Sequence, residues 1–203
     1  MVRLCVATTN QGKQREFAKL LGDWPGEVVC PRDIGLDIEV EETGASFAEI
    51  AAQKALVYAQ AAGLPALADD SGLEVDALGG APGIYSARYA GPGASDEDRY
   101  RKLLSELGEC PFEDRTARFR CAVAIAQPNG QVDVAEGTCE GVIAFEPRGE
   151  NGFGYDPVFY MPEHDRTMAQ LPAATKNQIS HRARAFQAAR PLLDALLAGK
   201  SRR

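Results

Sequence analysis

Val2 to Ala7 is apolar except for Arg3, and it passes through the polar turn Thr8 to Lys13 into Phe17, Leu20 and Leu21 at helical spacing, with Gly22 as a stop. A buried strand that hands over so directly to a helix commits the chain to an α/β architecture. The rest of the sequence repeats the alternation. Val28 to Cys30 reads as a second short strand. Ser46 with Glu49 makes a capping box opening an Ala-rich helix that runs to about Gly63 and Pro65, and Leu64 to Ala68 is a strand delivering Asp69 and Asp70 at its C-terminal end. Ser95 with Asp98 opens a further helix through Leu104 and Leu107. Phe119, Cys121, Val123 and Ile125 alternate with Arg118, Arg120, Ala122 and Ala124, and Pro128-Asn129-Gly130 then turns the chain, which predicts a hairpin with one face buried. Val158 to Tyr160 is a strand, and Phe186, Ala189, Leu193, Leu196 and Leu197 mark a last helix that Pro191 is expected to kink. Parallel-type and hairpin strands together imply an α/β fold with a mixed central sheet and flanking helices.

The 203 residues fit one domain, 1–203, of ordinary size, or one domain cut into two lobes by a cleft. With 45% hydrophobic and 25% charged residues, disorder and fibrous folds are excluded. A net charge of −7 argues against wrapping a long nucleic acid. Acidic residues from Glu39 to Asp76 crowd one stretch, and Arg182, Arg184, Arg190, Lys200, Arg202 and Arg203 load the last; a small polyanion held through a metal uses both. Cys5, Cys30, Cys110, Cys121 and Cys139 form no C-x-x-C, so neither a disulfide framework nor a zinc site is suggested. No segment has the length of a membrane span or a signal-peptide core, and a cytoplasmic protein without membrane contact is expected.

Four segments carry chemistry. Thr8-Thr9-Asn10-Gln11-Gly12-Lys13, between strand and helix, can turn backbone N–H groups, a helix dipole and a lysine onto phosphate oxygens; the plainer alternative is an N-cap by Thr9 or Asn10 with a solvated lysine. Asp69-Asp70-Ser71-Gly72 offers hard oxygen ligands of the kind magnesium takes, with Glu41 or Glu42 able to add another; the alternative is a solvated turn. Gly152-Phe153-Gly154-Tyr155-Asp156-Pro157 joins backbone freedom to two aromatic rings, a wall for a flat base or simply a turn over core aromatics. Ser180-His181-Arg182 opens the last helix. Gly83 to Arg88, Gly-Ile-Tyr-Ser-Ala-Arg, has no local derivation.

Taken in order from Ala7 to Ala183, these segments, with Glu41-Glu42-Thr43-Gly44, Leu78 to Arg88 and Ile179 to Arg182, resemble the inosine triphosphate pyrophosphatase family. The resemblance implies a homodimer of α/β subunits, each with two lobes around a substrate cleft. It further implies magnesium-dependent hydrolysis of ITP, dITP and XTP to the nucleoside monophosphate and pyrophosphate. By the same resemblance Thr8, Thr9, Asn10, Gln11, Gly12 and Lys13 hold the triphosphate, with Lys54 a further phosphate contact. Glu41 and Asp70 bind the metal, and Asp70 is the catalytic proton acceptor, although the sequence does not separate it from Asp69. Ser71, Phe153, Gly154, Tyr155, Asp156, Lys176, His181 and Arg182 bind the nucleotide. His181 and Arg182 are expected to be base-edge donors, with Phe153 or Tyr155 against the purine face. Ile50 and Gln170 stand where the family carries Asn and Glu. A nucleotide-binding module without catalysis and a phosphotransferase are the competing classes.

Overall fold

Seven strands hydrogen-bond side by side in the order β2-β1-β3-β4-β5-β6-β7 in the computed structural model, which describes residues 1–199. Lys200, Arg202 and Arg203 lie outside the described residues. The strands are β1 (Arg3–Val6), β2 (Glu27–Val29), β3 (Ala66–Val75), β4 (Thr116–Ala126), β5 (Val132–Ile143), β6 (Phe159–Met161) and β7 (Arg166–Thr167). The helices are α1 (Gln11–Leu20), α2 (Phe47–Ala62), α3 (Asp96–Leu107), α4 (Ala173–Ile179) and α5 (His181–Leu197). β1 pairs in parallel with β2 and β3, while β6 pairs antiparallel with β5 and β7, so the sheet is mixed as expected.

The chain divides into two compact units. The first comprises Met1–Asp70, Cys121–Gly137 and the residues from Arg182 on; the second comprises Ser71–Arg120 and Thr138–His181. Each has its own apolar core. In the first, Leu4, Val6 and Leu67 pack with Cys121, Val123 and Ile125 and with Phe17, Phe186, Ala189 and Leu193. In the second, Leu73, Val75, Phe119, Cys139, Ile143, Phe159 and Met168 pack with Leu103 and Leu107 of α3.

Local signals are realised closely. Ser46 Oγ accepts the Glu49 N–H at 3.2 Å to open α2, and Gly63 closes it in the left-handed region. Ser95 and Asp98 cap α3 reciprocally. Two expectations are corrected. β3 does not end before Asp69 but runs on to Val75, so both acids lie within the strand; cations brought by other segments make this tolerable. β4 alternates only at its start, because from Cys121 to Ala126 every residue is buried. Alanines at positions 122, 124 and 126 are small enough to be covered on the second face too. Pro191 lies inside an α5 that remains one helix.

Ile50 is fully buried and packs as a core residue; a Cβ at Gly44 would sit only 2.9 Å from its side chain. Gln170 completes a capping box, its Oε1 accepting the Thr167 N–H at 2.9 Å, which is the bond a glutamate makes.

Candidate active site

In the first unit the turn after β1 is built by its own side chains. Asn10 Oδ1 accepts the Lys13 N–H at 3.0 Å as the N-cap of α1, Thr8 Oγ1 accepts the Asn10 N–H at 3.2 Å, and Gln14 Nε2 donates to the Thr8 carbonyl at 2.9 Å. Thr9 and Gln11 are exposed and Gly12 is buried. The N-cap reading holds, but Lys13 is not a solvated lysine. Its Nζ lies 3.0 Å from Asp69 Oδ2 and 3.5 Å from the Asp69 carbonyl, with 14% of the side chain exposed.

Asp69 is the anchor of this cluster. Its Oδ2 also takes Arg182 Nε at 3.1 Å, and Arg182 Nη1 is paired with Glu16 of α1. Burial alone would push the Asp69 carboxyl up, but Lys13, Arg182 and Lys54 outweigh it and hold it well below the usual carboxylate range. The Cys121 thiol lies 3.9 Å from the same oxygen, and burial, reinforced by Asp69, keeps it protonated. Asp70 is in the opposite state. Burial pushes its carboxyl up to about 6, against the pull of Lys13 and Lys54, while Glu42 and Asp69 add to the rise. Lys54 pairs with Glu42 at 2.7 Å; burial works against its charge, and Glu42 more than compensates, so its pKa lies above the ordinary value.

The donor set suits a hard divalent cation. Among the described residues Asp69 Oδ1 is buried without a hydrogen bond, and the neighbouring Asp70 is a buried carboxylate whose charge Lys13 and Lys54 only partly offset. Magnesium takes one or two carboxylates and completes its shell with water and phosphate oxygens. Among the described residues no three His, Cys, Asp or Glu side chains form a ready-made cage. Glu41 is exposed, and the glutamate whose charge reaches Asp70 is Glu42.

In the second unit, Phe153, Asp156 and Lys176 come together around the Gly152 to Pro157 loop. Lys176 and Asp156 form a buried ion pair, Asp156 Oδ2 accepts the Phe153 N–H at 2.9 Å, and Lys176 Nζ stands 4.7 Å from the centre of the Phe153 ring. Gly152 has φ +81, and a Cβ there would fall 2.0 Å from Asp156 Oδ2, so only glycine lets the carboxylate fold back over the loop. Tyr155 is buried with its hydroxyl donating to the Ser86 carbonyl at 2.9 Å, which leaves Phe153 as the partly exposed ring. His181 is buried and stacks on Phe119, ring centres 4.7 Å apart. Ser71 is half-buried at the start of this unit.

Arg182, expected at the base edge, is 1% exposed in the first unit and its guanidinium serves Asp69 and Glu16. Ion-pairing drew it there, since a buried Asp69 needs a second cation. Sequence reasoning missed Glu16, which sits three places after Lys13 on α1 and carries no local signal, and Phe119, which reads as an ordinary strand aromatic. The Gly83 to Arg88 turn now has a role. Ser86 Oγ accepts the Leu73 N–H at 2.9 Å and donates to the Gly83 carbonyl at 2.6 Å, and its own carbonyl holds Tyr155.

A mixed-sheet α/β protein that sets lysines and a helix start beside buried carboxylates belongs to the class built to handle phosphorylated small molecules. More particularly, the chain belongs to the Ham1 family, whose model matches residues 4–192. It is 52% identical over 195 residues to a dITP/XTP pyrophosphatase of Desulforamulus reducens, covering 96% of this chain and 97% of that one. It is 54% identical over 186 residues to a dITP/XTP pyrophosphatase of Geobacter sulfurreducens, covering 92% and 94%. Among solved structures it resembles a HAM1 protein from Coxiella burnetii, with TM-score 0.86 and 42% identity over 98% of this chain and 100% of that one. The Ham1 protein of Staphylococcus aureus gives TM-score 0.84 and 45% identity over the same shares.

Proposed function

We propose that this chain hydrolyses non-canonical purine nucleoside triphosphates, dITP, XTP and ITP, to the nucleoside monophosphate and pyrophosphate. The observation that carries the reading is the cluster in which Asp69, 3.0 Å from Lys13 Nζ and 3.1 Å from Arg182 Nε, adjoins the buried Asp70, in a chain about half identical to proteins named for that reaction.

Lys13, Lys54 and the N-terminal turn of α1 bind and orient phosphate oxygens. Asp70, buried at the edge of this cluster, takes the proton of the water that attacks the α-phosphorus. Asp69 stays anionic and holds Lys13 in place. Asp70 and Glu41, with Glu42 nearby, would hold a magnesium ion, which when bound would supply neutralisation of phosphate charge. In the second unit Phe153 packs on the purine face. Lys176 is the donor that favours the C6 oxygen of hypoxanthine and xanthine over the amino group of adenine. We assign the protein to the cytoplasm and, as the family resemblance implies, to a homodimer.

The test is reaction of dITP with magnesium in oxygen-18 water. Label on the monophosphate, with unlabelled pyrophosphate, supports attack at the α-phosphorus; label in orthophosphate, or no turnover of dITP, XTP or ITP, overturns the reading.

A further inference from the structure

The loop on which the purine is placed above is fixed partly from outside itself. Gly154 donates its N–H to Oδ2 of Asp96, the first residue of α3, at 2.7 Å. The other oxygen of Asp96 is gripped by Arg99 Nη1 at 2.6 Å, and Arg99 Nη2 donates to the Ala94 carbonyl at 2.7 Å, so the first turn of α3 sets the carboxylate's direction. Gly154 has φ +64 and no atom within 4 Å of where a Cβ would stand. Inside the loop its peptide is held only at the carbonyl, where Phe153 O accepts the Asp156 N–H at 3.3 Å, and its N–H is held from outside by a charged acceptor. The residue before Gly154 is Phe153, and Asp156, the partner of Lys176, lies two residues after it.

We propose that Asp96 is a positioning residue for base recognition: by holding the Gly154 N–H it keeps the Phe153 ring and the Asp156–Lys176 pair in the arrangement that meets the purine. The proposal rests on the assignment of this loop to the base. Asp96 touches no substrate and acts through the loop, so its loss reads in binding of the purine and not in the chemical step. The neighbouring Glu97 is a built-in control, because it adds the same charge to the first turn of α3 but pairs outward with Arg101.

The experiment compares steady-state kinetics on ITP, together with Tm, for Asp96→Ala, Asp96→Asn, Glu97→Ala and Phe153→Ala. Asp96→Ala should raise KM about tenfold, the scale of one charge-assisted hydrogen bond, with kcat changed less than about twofold. Asp96→Asn, which keeps an acceptor oxygen for Gly154, should restore most of the KM, and Glu97→Ala should leave KM unchanged. Equal effects of Asp96→Ala and Glu97→Ala, or an Asp96→Ala that lowers Tm with KM unmoved, overturn the proposal. If Phe153→Ala raises KM and Asp96→Ala does not, the anchor alone fails; if Phe153→Ala leaves KM unchanged, the assignment of the loop fails and the anchor with it.

Discussion

Lys13 Nζ lies 3.0 Å from the carboxylate of Asp69, and this contact makes two adjacent acids chemically unlike. Asp69, shared by Lys13 and Arg182, is held anionic, whereas Asp70 is pushed up to about 6 by burial that no such pair offsets. Two carboxylates whose environments drive their pKa values apart divide the labour between structure and proton transfer.

Asp69→Asn removes the shared anion and leaves the part-buried Lys13 and the buried Arg182 facing a neutral amide. A stability loss of about 3–5 kcal/mol is expected, the scale for breaking a buried ion pair from one side. Urea unfolding at pH 7.5 measures it, and a loss no larger than that of an exposed pair such as Arg101–Glu97 contradicts the role given to Asp69.

Asp70 gives the opposite sign. Its folded pKa of about 6 is above the ordinary 3.8, so the stability linked to its protonation is fully present below 3.8 and is lost as pH rises through about 6. Asp70→Asn, neutral at every pH, should therefore be more stable than the parent at pH 7.5 in EDTA, by up to about 3 kcal/mol. That advantage should vanish toward pH 4. An advantage that persists unchanged at pH 4 means Asp70 is not the titrating group.

Sequence legibility followed distance along the chain. The capping boxes of α2 and α3 were readable because Ser46–Glu49 and Ser95–Asp98 are contacts between residues three apart. The continuation of β3 beyond Ala68 is not legible, because two aspartates disfavour a strand and the lysine and arginine that make them tolerable come from 56 and 113 residues away. The ion pairs of Arg182 are illegible for the same reason: its partners, Asp69 and Glu16, adjoin it only in the fold. The meaning of Ser86 was equally hidden, since it binds Leu73 and Tyr155 from outside its own turn.

Base selection is expected to follow Lys176 and not Arg182. Lys176→Met should lower kcat/KM for ITP relative to ATP by about tenfold or more, because a base-edge contact discriminates by about 1–3 kcal/mol. Arg182→Ala should depress ITP, XTP, GTP and ATP alike. A changed ITP to ATP ratio in Arg182→Ala with none in Lys176→Met reverses the assignment.

The metal reading predicts that Glu41→Gln raises the magnesium concentration needed for half-maximal rate without lowering the maximal rate at saturation. A titration that moves for Glu42→Gln and not for Glu41→Gln assigns the ligand to Glu42, whose charge already reaches Asp70.

The most direct test is kcat on dITP for Asp70→Asn at saturating magnesium, with Tm measured on the same preparation. Loss of a general base predicts a fall of at least ~10² in kcat with Tm no lower than the parent's. Near-full turnover by a folded Asp70→Asn would contradict the division of roles between Asp69 and Asp70.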